Sequence, residues 1–371
     1  MSSDGKDGVF LRVVAVAAAC LCLAFGSVAL AATYYVDSVN GNDDYDGTSP
    51  STAWQSLEKV NGTTFQPGDQ ILLKADCVWT GQLWPKGSGA AGNPIMIDMY
   101  GTGAKPLING DGLVQSTVYL YNQEYWEVSN LEITNWDPAG PDIRQGVYVV
   151  GHEYTPGVLN HIHLKDLVVH DVNGHDTDGR NLGKCNGGII FDVWGCPISV
   201  RFNDVLVEGC YVYHVDRSGI KTWSDNTRWY EDPELPWYWQ PYTNMVIRNN
   251  VLDDIGGDGI VTCHADAPLV EYNVASNCQA RSNEFNVAIW PWDCDDAMYQ
   301  YNEAYLTHQT KDGQGYDIDG YNNRATLQYN YSHDNEGGFI LICGYGAFNR
   351  DSVLRYNISE DDHIPNVGSI L

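Results

Sequence analysis

The sequence predicts an all-β fold, a right-handed single-stranded parallel β-helix with a short N-terminal capping helix. Three observations carry that prediction. A phrase recurs as Leu269-Val270-Glu271-Tyr272-Asn273, Met298-Tyr299-Gln300-Tyr301-Asn302, Thr326-Leu327-Gln328-Tyr329-Asn330 and Val353-Leu354-Arg355-Tyr356-Asn357, its Asn residues 29, 28 and 27 positions apart. A second phrase runs in step: Gly259-Ile260-Val261-Thr262, Asn286-Val287-Ala288-Ile289, Gly315-Tyr316-Asp317-Ile318 and Gly338-Phe339-Ile340-Leu341. Finally, Val205-Leu206-Val207 through Ser218-Gly219-Ile220 aligns without a gap, 40 residues on, to Met245-Val246-Ile247 through Asp258-Gly259-Ile260. A period in the twenties, with two short apolar-alternating runs per period, marks a solenoid of strands. Equivalent residues of successive coils then stack about 4.8 Å apart.

The elements follow in chain order. Residues 1–31 read as a secretory signal: Lys6 and Arg12 precede an apolar run from Val13 to Leu30, closing on Ala29-Leu30-Ala31. An N-terminal membrane anchor is the alternative, and no other segment approaches the ~18 apolar residues of a spanning helix. Residues 32–115 read as a cap and the first coils. Thr33-Tyr34-Tyr35-Val36 is a strand, Asn40-Gly41-Asn42-Asp43-Asp44 a polar turn, and Ser51 to Val60 a short helix with Trp54, Leu57 and Val60 on one face. Such a cap covers the end of a solenoid core. Pro67-Gly68-Asp69 turns into the strand Gln70-Ile71-Leu72-Leu73, and 95–98, 107–108 and 118–121 continue as short strands. Residues 116–371 form the repeats. They are interrupted by an aromatic insert from Asp225 to Tyr242 that carries Trp229, Tyr230, Trp237, Tyr238 and Trp239. A loop of that kind usually lies over a binding face. The last coil opens at Asn357-Ile358-Ser359 without an evident cap, so the sequence is either a truncated product or ends in a self-capping turn.

Charge and composition narrow the partners. A net charge of −28 argues against nucleic acid and anionic membranes, permits calcium, and makes a polyanionic substrate awkward without a basic patch. Twelve Trp and 24 Tyr suggest exposed aromatic faces of the kind on which sugars stack. Eight cysteines follow the signal, with Cys185/Cys196 and Cys278/Cys294 as local disulfide candidates and small buried thiols as the alternative. No cysteine or histidine spacing points to zinc. No cofactor is expected, and the mature chain is expected to be an exported monomer.

The cap residues Tyr35-Val36-Asp37 to Trp54, the Pro67-Gly68-Asp69 strand and the Tyr-Asn coils resemble the right-handed parallel β-helix proteins of carbohydrate metabolism, the pectate-lyase-like superfamily. Trp79-Thr80-Gly81-Gln82-Leu83-Trp84-Pro85-Lys86-Gly87-Ser88-Gly89, together with Asp312-Gly313-Gln314-Gly315-Tyr316-Asp317, looks more like the β-helix glycoside hydrolases of plant cell-wall sugars. The resemblance spans nearly the whole mature chain for fold. For activity it is loose, because this fold hosts lyases, hydrolases, epimerases and adhesins.

Strand alternation converts the register into a site map. In the second phrase Ile189 and Phe191, Ile220 and Thr222, Ile260 and Thr262, Val287 and Ile289, Tyr316 and Ile318, and Phe339 and Leu341 are expected to point inward. One outer face then displays Asp192, Lys221, Trp223, Trp290, Asp317 and Asp319. Asp317 and Asp319 are the sharpest candidates. Two residues apart on a strand, their carboxyls can fall in the ~5–9.5 Å range used for glycoside hydrolysis, with mutual repulsion leaving one acid and one base. Solvated aspartates or calcium ligands are the alternative, although aspartate is depleted in strands. Asp258 and Asp293 are further catalytic candidates, each sitting in a sequence that ordinary turn chemistry also explains. Trp290, Trp223, Lys221, Asp192 and His264 are candidate substrate contacts, and no metal ligand set is assigned. The Asn of each Tyr-Asn phrase reads as a structural ladder. Three functions follow: an exported glycoside hydrolase on a polysaccharide or oligosaccharide, a calcium-dependent lyase on a uronate-containing polysaccharide with Lys221 and Asp192 at the chemistry, and a non-catalytic carbohydrate-binding β-helix.

Overall fold

The computed structural model describes residues 31–155, 157–176, 184–194, 200–228, 239–343 and 348–363. Residues 1–30, nearly all of the expected secretory signal, together with Cys196, the aromatic insert from 229 to 238 and the last eight residues therefore lie outside the described residues. The rest winds into three parallel sheets of 12, 10 and 8 strands, each coil contributing one strand to each sheet along most of the chain. Every strand pair runs parallel, as in Val205↔Met245 and Ile220↔Ile260, which is the 40-residue register read from the sequence. Among the described residues no helix is long and apolar enough to cross a membrane.

The coil has three strands where the periodicity showed two runs. Tyr272, Tyr301, Tyr329 and Tyr356 each adopt a left-handed conformation (φ 55–57°), so the backbone turns a corner within the Tyr-Asn phrase and starts another strand at once. With no glycine or proline at that corner, the sequence hides it. The four tyrosine rings stack outside, with centroids 5.0, 5.3 and 5.2 Å apart. The asparagines form the expected ladder, which starts one coil earlier. Asn250, Asn273, Asn302 and Asn330 each donate through Nδ2 to the Oδ1 of the next, ending at Asn357, at 2.9–3.0 Å. Each Oδ1 also accepts the backbone N–H of the preceding Asn, which satisfies buried groups at the corner.

The cap helix is shorter than expected. Residues Pro50–Thr52 form one 3-10 turn, and the α-helix is Leu57–Asn61, because Ser56 caps its first turn by accepting from Lys59 N. Trp54, Leu57 and Val60 are buried against the first coil. Cys278 and Cys294 are separate buried thiols rather than a disulfide, in line with the apolar interior around them.

The eight-stranded sheet positions the site. Its strands are Ser116–Tyr121, Gln145–His152, Gly187–Trp194, Ser218–Ser224, Ile260–Cys263, Ile289–Trp292, Tyr316–Ile318 and Ile340–Ile342. Val118, Val147, Ile189, Ile220, Ile260, Ile289, Tyr316 and Ile340 stack inward as one side of the core. The outer face then carries the column Tyr119, Tyr148, Ile190, Lys221, Val261 and Trp290. Continuing the Ile289↔Tyr316 pairing by one residue brings Asp317 next.

Two positions of the expected register move. Ile289, not Val287, pairs with Ile260, so Trp290 aligns with Val261 and Trp292 with Cys263. In the last coil Ile340 fills the core place assigned to Phe339, and Leu341 pairs with Asp317 on the outer face. Asp317 nonetheless keeps its place on the outer side of the sheet. The outer face is not open, however. Lys221, Val261 and Cys263 have no exposed surface, and Asp192 and Asp317 are 2 % and 3 % exposed.

Candidate active site

Four carboxyl groups and two lysines gather over the sheet between the strands Ile260–Cys263 and Ile340–Ile342. Asp258 comes from the turn ahead of Ile260, Asp317 and Asp319 from the strand Tyr316–Ile318 and its end, and Asp312 from the loop before it. Asp258 is completely buried. Its Oδ1 accepts Val287 N at 3.2 Å and Trp290 Nε1 at 3.1 Å, and its Oδ2 lies 4.0 Å from both Lys184 Nζ and Lys221 Nζ. Burial raises its pKa, but Lys184, Lys221 and Arg217 together outweigh burial and hold it below the ordinary carboxylate range. Asp258 is thus a fixed anion between two ammonium groups.

The other three are pushed the opposite way. Asp317 rises well above the usual range, through burial first and then the charges of Asp319 and Asp312, and its Oδ1 has no hydrogen-bond partner. Asp312 is pushed up to about 6 by burial and by Asp258. Asp319 is raised by burial, while the Gly320 N–H donated to its Oδ1 at 2.6 Å and the charge of Lys184 favour its anion. Repelling carboxyls cannot all ionise, so protons settle where the charge is least solvated and least hydrogen-bonded. That order makes Asp317 neutral, keeps Asp312 protonated to about pH 6, and leaves Asp319 as the group best supplied with donors.

Asp312 is held by its own loop. Lys311 Nζ bonds Glu284 Oε2 at 2.6 Å, Thr310 Oγ1 donates to Ser282 O at 3.1 Å, and Gly313 N to Asn286 O at 3.1 Å. Gly313 sits at φ +110°, and a Cβ there would lie 2.5 Å from His308 O, so this corner requires glycine. Asp312 and Asp319 are both partly exposed, whereas Asp317 is buried beneath. The sequence map named Asp317 and Asp319 and passed over Asp312, because alternation gives a loop residue no direction. Its one visible signal was a carboxylate in the glycine-rich stretch that opens a site strand.

The remaining candidates separate. Trp290 is 6 % exposed, clamped by its bond to Asp258 and by Lys184 and Lys221 at 5.5 and 5.7 Å from its ring centroid, which leaves no open face for a sugar. Trp223 is half-buried and packs on Trp292 at 5.2 Å and on His264 at 5.4 Å. Asp293 belongs to a structural knot rather than to the acid cluster. Its Oδ2 accepts His264 Nδ1, Thr227 Oγ1 and Arg228 N at 2.8–2.9 Å, and its Oδ1 accepts Arg228 Nε. Burial raises its pKa, but His264 and Arg228 outweigh that and keep it ionised. His264 is spent in the same knot. At the described ends of the aromatic insert, Trp239 covers Arg228 at 4.1 Å. Asp192 lies on the same face four strands away and accepts Tyr148 OH at 2.7 Å, so it does not join Lys221 in a lyase-type pair. Among the described residues, metal-ligand spacing occurs at Glu127, His161 and His163 on the 12-stranded sheet, apart from the acids.

Three parallel sheets closed into a coil, with an acid cluster on an outer face, define a parallel β-helix whose site can transfer protons. The family described as the right handed beta helix region matches residues 116–303, and the chain belongs to it. A lacto-N-biosidase of Bifidobacterium longum subsp. longum is 30 % identical over 89 % of this chain and 26 % of its own length. The crystal structure of a GH136 lacto-N-biosidase from Eubacterium ramulus is similar at 33 % identity and a TM-score of 0.79, over 89 % of this chain and 60 % of that one. The chain thus spans about a quarter and three-fifths of the lengths of these two relatives. Their names are not those of plant cell-wall enzymes, to which the sequence likeness had pointed.

Proposed function

We propose that the protein is an exported glycoside hydrolase acting on oligosaccharides, with Asp312 as general acid and Asp319 as its ionised partner. The observation that carries this reading is a cluster in which two partly exposed carboxyls, Asp312 and Asp319, share a site with the buried Asp317 and Asp258. Burial and Asp258 push Asp312 up to about 6, and Asp319, also raised by burial, receives the Gly320 N–H that favours its anion. Hydrolysis of a glycosidic bond needs such a pair: one neutral acid to protonate the leaving oxygen and one carboxylate to act as nucleophile or to activate water. Asp317 is a buried neutral carboxyl behind the pair, and the anionic Asp258 raises the proton affinity of Asp312 against the opposing charge of Lys184.

The relatives support the same class of reaction, since both are named lacto-N-biosidases. Export rests on the charged, apolar and small-residue order of residues 1–31. The test is to screen oligosaccharides, lacto-N-biose-containing ones first, for new reducing ends. Hydrolysis by the wild-type chain, lost in Asp312→Asn and Asp319→Asn, is expected. Unsaturated products, or full activity in both variants, would overturn the assignment.

A further inference from the structure

A second feature of the outer face takes no part in that chemistry. Toward its N-terminal end the eight-stranded sheet carries a cavity of about 640 Å³, lined by residues that include Gln145, Tyr119, Tyr148, Asp192 and Trp194. Its volume falls within the ~300–1,000 Å³ common for small-molecule sites. The register explains its aromatic walls. Tyr119 and Tyr148 are neighbours in one outward column, their rings stacked at 5.9 Å and 20°, with Trp84 against Tyr119 at 5.2 Å. On a parallel column Trp194 pairs with His152 and stacks on it at 3.5 Å, leaving the indole 37 % exposed. Pairs of aromatic rings on neighbouring strands form flat apolar platforms with polar edges.

The polar groups are placed to bond hydroxyls. Asp192, 2 % exposed, holds the Tyr148 hydroxyl at 2.7 Å and fixes its direction. Gln145, 1 % exposed, donates to Cys185 O at 2.8 Å, which leaves its Oε1 without a hydrogen-bond partner. A buried acceptor in that state costs free energy unless a ligand or water supplies a donor. Among the described residues the lining contains Asp192 and Asp225 and no cationic side chain, which disfavours an anionic ligand. Asp192 and Asp319 lie four coil steps apart on the sheet, about 19 Å at ~4.8 Å per step. The cavity therefore cannot hold the bond under attack.

We propose that this cavity is an ancillary site for a neutral oligosaccharide, with sugar rings on Tyr119, Tyr148 and Trp194 and a hydroxyl donated to Gln145 Oε1. The assignment of the ligand class rests on the glycosidase reading, and the test separates the two. Binding of lacto-N-tetraose, cellotetraose and tetragalacturonate is measured by calorimetry on the full chain carrying Asp312→Asn, with and without Trp194→Ala or Tyr119→Ala. At least one neutral tetrasaccharide should bind, the uronate should not, and each aromatic truncation should weaken binding about tenfold, the equivalent of ~1.4 kcal/mol. Trp194→Phe should restore most of it, which a folding defect would not explain.

In the active chain Trp194→Ala should leave turnover of a short aryl glycoside unchanged and raise KM about tenfold for the longer substrate. Unchanged binding in both truncations, preference for the uronate, or binding of none of the three would overturn the proposal. If no glycoside is hydrolysed yet binding follows this pattern, the glycosidase reading fails and the binding site stands.

Discussion

Replacing Asp312 by Asn should make the protein more stable at neutral pH and nearly inactive. The sign follows from proton linkage. Asp312 has a native pKa of about 6, above its ordinary value of 3.8, so between those values the native state binds more protons than the unfolded chain. Stability therefore falls as pH rises through that window, and above pH 6 the native state carries the full cost of a part-buried anion. A shift of that size corresponds to at most about 3 kcal/mol, and the partial exposure of Asp312 reduces it to about 1–2 kcal/mol. Asparagine keeps the shape and removes the charge. Thermal unfolding at pH 8 should show Asp312→Asn a few degrees above wild type, the two converging near pH 4 where both are uncharged. Turnover should drop by about 10²–10⁴-fold, the usual worth of a general acid. In wild type kcat should fall about tenfold per pH unit above 6, and the limb should vanish in the variant. A variant less stable than wild type at pH 8, or one that keeps the alkaline limb, would refute the reasoning.

Other substitutions separate the parts of the cluster. Asp317→Asn exchanges one neutral group for another, so turnover should change by less than about tenfold and the alkaline limb should remain in a pH–rate profile. Asp293→Asn breaks a buried pair with Arg228 and should cost about 3–5 kcal/mol in chemical denaturation while the surviving folded enzyme keeps its pH profile. Asn302→Ala removes the acceptor of Asn273 N and Nδ2 and should cost about 2–5 kcal/mol by the same measurement, without affecting substrate KM.

The parts of this molecule legible in the sequence are those that repeat. The Asn ladder and the 40-residue alignment state the period directly, because each coil must satisfy the same corner and pack on the last. Alternation also placed Lys221, Trp223 and Asp317 on one outer face, since a strand leaves only two directions. What resisted reading has local causes. Asn286-Val287-Ala288 imitates the opening of a strand that begins at Ile289, which moved Trp290 by two places. The burial of the face was invisible because distant segments cover it: Lys184 reaches Phe285 O at 3.3 Å and Asp258 Oδ2 at 4.0 Å, contacts 101 and 74 residues apart in the chain. Asp293 and His264 looked free because Arg228, which engages Asp293, arrives from the start of the aromatic insert. Asp312 was passed over because a loop carries no periodicity.

The most direct test of the account is to run the reaction in heavy-oxygen water and weigh the products. A hydrolase with Asp312 as its acid must place one solvent oxygen on each new reducing end, and Asp312→Asn must suppress that label along with the product. Products that form without solvent oxygen, or a label undiminished in Asp312→Asn, would contradict it.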